Sequence, residues 1–377
     1  MSSSMQTALG GYARSVSDAL SHAFPTPSYL LPPSAGVDIS DASIKWLVLE
    51  RASYGRGLRV ALFGEEPLAP GIVENGVIKD PAALAEALRK MRENLGGIAC
   101  AHAALPEEPA YIFEMRVPKG TPRDQVMKLI EFEFEGRVPI SPDISVFDYD
   151  SIEYDEKDMQ IGVSVFPRDL AKSYADVFAT AGMTLLSLEI ESRSIARTIC
   201  DNGDPLITLL VDFGRARSGF AVLKNGIPIF SSTVEVGGNA IDKALQEKLG
   251  LSVAQATHLK NEEGLYPEDG NKTPGMEMMV ATASALGDEV ARHFHYWDTR
   301  RNDRGDRMTP VSRVVLVGGS SNLSGLTDYI AGRVQAPTYR GDVWRRVCDY
   351  NEYIPPIDRR TSLQYATAIG LALRAFI

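Results

Sequence analysis

The sequence predicts a mixed α/β fold of two similar halves, with a smaller unit inserted into the first. Three observations carry this. Strand-like apolar runs precede helical ones within each half. The segments Gly36–Lys45 and Val211–Phe220 follow one pattern: an apolar strand ends in Asp, turns through small residues and starts an adjacent antiparallel strand. Between them, residues 110–185 read as a compact β-α-β-β-α module.

Taken in order, residues 1–34 are an arm: Met5, Leu9, Tyr12, Val16 and Leu20 form a weak helical stripe, and prolines from Pro25 to Pro33 form a stiff connector. Residues 35–109 are the first half, with strand, turn and strand over Gly36–Glu50, a third strand from Leu58, and a helix at Pro81–Arg92 capped by Asp80. The module at 110–185 opens with a strand, Ile112–Val117. A helix runs from Pro122 to Phe134 behind a Thr121 cap, then a hairpin, Ser145–Tyr154 and Met159–Phe166, and a second helix, Pro167–Ala181. Residues 186–210 return to the first half, and 211–377 form the second half. There the buried run Pro205–Asp212 is followed by a hairpin at Asn225-Gly226 and a helix opened by Gly237-Gly238-Asn239. A long helix, Met276–Trp297, precedes the strand Arg313–Val317, whose Gly318-Gly319-Ser320 is expected to open another helix. A closing helix, Thr361–Phe376, is expected to return to the first half.

Composition narrows the function. A chain of 377 residues, 44% hydrophobic and 23% charged, buries large cores without disulfide or metal. Its net charge of −10 excludes broad, sequence-independent binding to a nucleic-acid backbone. Cys100, Cys200 and Cys348 are isolated, and His293 and His295 stand two apart on a helix, so neither a disulfide framework nor a zinc site is expected. Neither a spanning apolar run nor a signal-peptide pattern is read, which makes a cytoplasmic location the expectation.

The repeated turns suggest a chemistry. Small residues let backbone N–H groups approach a phosphate chain closely. An Asp at the strand end repels phosphate itself but holds Mg²⁺ or its waters, and Mg²⁺ bridges to the phosphates. Two such turns facing one another clamp a triphosphate from both sides. The plain alternative makes Asp38 and Asp212 turn formers, Glu191 a surface cap, and Ser40, Ser43 and Ser218 stabilisers of their own turns.

In chain order, the Asp38 turn, the Glu191 segment, the Asp212 turn, Gly237-Gly238-Asn239 and Val317-Gly318-Gly319-Ser320 form a series. That series resembles the ATPase superfamily of actin, the heat-shock chaperones and the sugar kinases. Within it, Gly36–Lys45, Glu131–Pro142 and Val236–Asn239 are similar to the PilM family, actin-like proteins of type IV pilus assembly related to the division protein FtsA. The resemblance implies a duplicated actin-like (ribonuclease H-like) ATPase fold, with residues 110–185 as its inserted 1C, or SHS2-type, subdomain. It implies ATP and Mg²⁺ as cofactors, with Asp38 and Asp212 on the metal side through water and Glu191 as the catalytic residue. It also implies a nucleotide-binding set. Asp38, Ser40, Ser43 and Lys45 come from the first turn, and Asp212, Gly214 and Ser218 from the second. Gly237, Gly238, Asn239, Lys260, Gly318, Gly319 and Ser320 complete it around the nucleoside. The second turn departs from the family's run of small residues with Arg215 and Arg217, which pair with phosphates, crowd the clamp or face solvent.

Three functions compete. The resemblance favours a scaffold, at most a weak ATPase, that binds the cytoplasmic tail of a PilN-like inner-membrane protein. It would sit peripherally at the membrane's inner face, with self-association left open and no nucleic acid. A small-molecule kinase of the same fold needs a substrate pocket and a base that the insert lacks. An FtsA-like tether needs a spacer and a basic terminal helix, whereas this sequence ends Leu371-Ala-Leu-Arg-Ala-Phe-Ile.

Overall fold

The computed structural model describes residues 32–52, 57–201, 203–262, 264–266, 274–301, 305 and 307–376, with the backbone alone of Pro274 and Met278. The apolar stripe expected over residues 5–20 lies outside them.

Two five-stranded sheets repeat one topology. The first contains β1 (Ser34–Ile39), β2 (Ser43–Arg51), β3 (Leu58–Pro67), β6 (Cys100–Leu105) and β10 (Thr184–Ile190), in the order β10-β6-β1-β2-β3. A two-stranded ribbon, β4 (Val73–Glu74) and β5 (Val77–Ile78), stands beside it. The second contains β11 (Thr208–Phe213), β12 (Ser218–Lys224), β13 (Ile227–Val234), β14 (Arg313–Val317) and β15 (Thr338–Arg340), in the order β13-β12-β11-β14-β15. In each, three consecutive strands form an antiparallel meander and two more join in parallel on the other side. The apolar runs read from the sequence are the central strands, buried on both faces.

Helix α1 (Pro81–Glu93) starts where expected, with Asp80 accepting from the Ala83 N–H. It packs beneath the first sheet with α3 (Arg168–Thr180). This helix was expected within the inserted module, yet its buried Tyr174, Val177 and Phe178 belong to the first-sheet core. What remains of the module is the sheet β7-β9-β8, from Tyr111–Pro118, Asp158–Pro167 and Ser145–Tyr154, covered by α2 (Arg123–Arg137) through Val126, Ile130 and Phe134. The expected Thr121 cap does not form. Its hydroxyl donates instead to the Pro118 carbonyl at 2.7 Å, and α2 starts at Arg123 without a side-chain cap.

The second half continues with α4 (Glu191–Ile199), α5 (Asn239–Leu249), α6 (Val253–Glu262), α7 (Pro274–Thr299) and α8 (Leu326–Val334). Here α4 leads in from the first half, and α5, α7 and α8 cover the second sheet. Gly318-Gly319-Ser320 opens a short 3₁₀ turn, Gly319–Asn322, rather than an α-helix. The closing helix is broken into α9 (Arg359–Ser362), a 3₁₀ turn at Leu363–Tyr365, and α10 (Ala366–Leu373). α10 lies directly on β1: a Cβ on Gly36 would stand 2.1 Å from the Ala368 carbonyl oxygen. Its residues share one core with β2, α4 and β14, which joins the halves. Among the described residues no helix is long and apolar enough to cross a membrane.

Candidate functional site

The carboxyl ends of β1, β6 and β10 face those of β11 and β14 across a cleft of about 1640 Å³. This is where parallel strands leave a crevice for a ligand. Of the expected residues, all but Ser218, Gly237 and Gly238 line it.

Two aspartates occupy equivalent places. Asp38 and Asp212 are each the next-to-last residue of a central strand, and each is the one partly exposed position in an otherwise buried strand. Across the antiparallel pair Asp38 faces Lys45, whereas Asp212 faces Gly219. Burial pushes the Asp38 carboxyl up to about 6, with Lys45 pulling it back and Glu65 adding to the rise. Burial pushes Asp212 up to about 7, with the Asp38 and Glu107 charges adding.

Glu191 opens α4, and burial raises its carboxyl well above the usual range, reinforced by Asp38, Glu108, Glu107 and Asp212. It is therefore no solvated surface cap. Its helix is held in place by a residue the sequence reading missed. Glu107, 6% exposed, accepts from the Ser192 N–H at 3.1 Å and the Ser192 hydroxyl at 2.7 Å. It supplies the cap that Ile190 cannot. Glu107 follows β6 as Gly318 and Gly319 follow β14, so the internal repeat was the signal that could have found it.

The expected side-chain donors are already engaged. The Ser40 hydroxyl donates to the Ser43 carbonyl at 3.0 Å and accepts from the Ser43 N–H at 3.2 Å. Lys45 Nζ donates to Ser43 Oγ at 2.8 Å and pairs with Glu65 at 3.1 Å. Ser218 donates to the Val236 carbonyl at 2.5 Å, Ser320 to the Gly214 carbonyl at 2.9 Å, and Lys260 pairs with Asp242 at 2.8 Å. The Ser40 hydroxyl thus closes its own turn, whereas Ser218 and Ser320 tie neighbouring segments together.

The glycines bring loops together. A Cβ on Gly237 would lie 2.4 Å from the Arg215 carbonyl oxygen, and one on Gly238 would lie 2.1 Å from Ser320 Oγ. Gly318 adopts φ +84°, and its Cβ would strike Asp212 Oδ1 at 2.3 Å. Asn239 donates its N–H to the Arg215 carbonyl at 2.8 Å. The second turn, the helix start and the 3₁₀ turn therefore form one knot around Asp212.

Arg217 lines the cleft, with its side chain partly buried. It crosses the cleft and pairs with Asp41 and Glu108 of the first half. Asp41 also accepts from the N–H groups of Asn75 and Gly76, each at 3.2 Å. Arg215 lines the cleft, and the N–H groups of Arg215 and Ala216 find no acceptor among the described residues.

What the cleft offers a ligand is specific. Its floor is acidic, the backbone amides of Arg215 and Ala216 are open to it, and no three carboxylates, histidines or cysteines among the described residues converge as direct metal ligands. Mg²⁺, which keeps several waters and binds through one or two carboxylates plus phosphate oxygens, fits such a donor set.

The family model for type IV pilus assembly protein PilM matches residues 36–376. The chain belongs to that family. Among solved structures, it is similar to one described as the PilM–PilN type IV pilus biogenesis complex, with TM-score 0.73 and 18% identity over 92% of this chain and 99% of that one. The ethanolamine utilization protein EutJ from Carboxydothermus hydrogenoformans matches with TM-score 0.54 and 16% identity, over 91% of this chain and 89% of that one. MreB5 of Spiroplasma citri bound to ADP matches with TM-score 0.51 and 15% identity, over 91% and 95%. At these identities the structural likeness establishes the fold, which is actin-like. Type IV pilus assembly is the function of the PilM family to which the chain belongs.

Proposed function

We propose that this member of the PilM family is a nucleotide-binding scaffold. It takes ATP with Mg²⁺ in the cleft and grips the cytoplasmic tail of a PilN-like inner-membrane partner, which keeps it at the membrane's inner face. The observation that carries the nucleotide part is the meeting of Asp38 and Asp212, from equivalent strand ends, with the amides of Arg215 and Ala216 across one cleft. Asp38 and Asp212 would hold Mg²⁺ through its waters. The ion supplies the positive charge that a triphosphate needs above this acidic floor. The glycine knot at Gly237, Gly238 and Gly318 fixes the second turn, and Gly319 and Lys260 line the nucleoside end.

Turnover is slow on this reading. Glu191, the residue the resemblance makes catalytic, is raised above its ordinary range by burial and four neighbouring carboxylates. The partner follows from family membership and from the PilN named in the similar complex. Millimolar ATP·Mg²⁺ should raise the melting temperature, since ligand at about 100 times its Kd adds about 2.7 kcal/mol. A pull-down with synthetic PilN-like N-terminal tails should retain the chain. An unchanged melting temperature would count against the nucleotide, and an empty pull-down against the partner.

A further inference from the structure

The inserted module rests on the half into which it is not inserted. Ile152 of β8, 7% exposed, is buried in the core of the second half. The hairpin between β12 and β13 turns through Asn225 and Gly226, both with positive φ, as a tight two-residue turn requires. Asn225 Nδ2 donates to the Ile152 carbonyl at 2.8 Å. Lys224 Nζ donates to Glu153 Oε1 at 2.6 Å and to Gln160 Oε1 at 2.8 Å. A Cβ on Gly162 of the module would stand 2.9 Å from Ile227 Cγ2 and 3.1 Å from the Pro228 carbonyl oxygen. The two surfaces are in close contact.

This junction meets the cleft at the first turn of α4. Glu191 lines the cleft, and Ser192 is held by Glu107 of the first half. Arg193 reaches the other way. Its Nε and Nη2 donate to the two carboxylate oxygens of Asp150 on β8 at 3.0 and 3.3 Å, and its Nη1 donates to the Gly226 carbonyl at 3.3 Å. Three consecutive residues therefore touch the cleft floor, the first sheet, and the seam between module and second half. The forked guanidinium fixes direction as well as distance. A displacement of Glu191 that carries its helical turn also moves the group that holds the module to the hairpin.

We propose that Arg193 transmits occupancy of the cleft to the inserted module. The proposal rests on the nucleotide reading above and adds a regulatory path to it. A ligand that favours one position of Glu191 then favours one seating of the module, and by linkage anything bound to the module alters affinity in the cleft.

The test is amide hydrogen exchange over residues 145–154 of the full chain, with and without millimolar ATP·Mg²⁺. In the native chain the nucleotide should slow exchange there about tenfold, an ordinary coupling for linked sites. Arg193→Ala should keep the ATP melting shift and lose the slowing. Arg193→Lys, which keeps the charge but not the fork, should lose most of it. The swap Arg193→Asp with Asp150→Arg should restore part of it, which a general loss of stability would not do. Undiminished slowing in Arg193→Ala overturns the proposal and leaves the nucleotide reading standing. Absence of any ATP melting shift in the native chain overturns both.

Discussion

The two halves share a scaffold and differ in what they hang on it. Both sheets run meander then parallel pair, and both central strands end with a partly exposed aspartate followed by one buried apolar residue. The loops diverge. Among the described residues, the first wall of the cleft carries seven carboxylates and one lysine, whereas the second carries three carboxylates and five cations. Duplication thus preserved the backbone that places Asp38 and Asp212 while the charges on the two walls became complementary. Arg217 already uses that complementarity by crossing to Asp41 and Glu108. The lesson is that the strand ends define the site and the loops decide how it closes.

The largest expected effect tests the scaffold. Two residues before each aspartate stand Gly36 and Leu210, alike in position and opposite in demand. Gly36 must be bare because α10 lies on it, while Leu210 fills the core between the halves. Gly36→Ala should cost about 3 kcal/mol through overpacking against backbone. Leu210→Ala should cost about as much through a cavity. Urea unfolding of both variants measures this, and a neutral Gly36→Ala would mean that α10 moves off β1 at little cost.

Next in size is the loss of ligand stabilisation. Asp212→Ala should abolish the ATP·Mg²⁺ melting shift, worth about 2.7 kcal/mol at 100 times Kd. Asp38→Ala should do the same if the halves are functionally equivalent. A shift that survives one substitution and not the other would locate the metal on a single wall.

Arg217→Ala comes third. Its pairs are partly exposed, so the stability cost should be about 1 kcal/mol or less. The clearer readout is kinetic: a fluorescent ATP analogue should leave the cleft several-fold faster, with less salt dependence than in the native chain. Unchanged dissociation would mean that the crossing pair does not hold the walls together.

Much of this was legible in the sequence, and the reasons are local. Leu209-Leu210-Val211-Asp212 announces a strand buried on both faces and ending in a charge, and Asp80-Pro81 announces a helix start. Both depend on neighbours a few residues away. Glu107 was legible only by aligning the repeat; taken locally, two glutamates after a strand read as a solvated turn, and its partner Ser192 lies far along the chain. The reach of Arg217 and the seating of α3 in the first-sheet core are likewise tertiary facts. Thr121 misled for the opposite reason, since its cap pattern was present but its hydroxyl was taken by the preceding turn.

The last comparison is the pH dependence of the two aspartates. Their carboxyls lie at about 6 and about 7 in the folded chain, against an ordinary value of 3.8. The native state therefore binds more protons than the unfolded one between about pH 4 and 7, and their contribution to stability falls as pH rises through that window. Burial lowers His102 to about 4 and lowers His293, and these act in the opposite sense below their ordinary 6.5. The aspartates act against no histidine only above that point. Asp212→Asn should accordingly be more stable than the native chain at pH 8 in the absence of nucleotide, with the difference shrinking toward pH 6. Asp38→Asn should behave alike but lose its advantage at lower pH, because Lys45 stands directly opposite Asp38, while the Asp38 and Glu107 charges push Asp212 further up. Denaturation curves of the three proteins at pH 6, 7 and 8 decide it. Parallel curves would show that the two carboxylates are ionised throughout, and that the cleft floor is better hydrated than its burial implies.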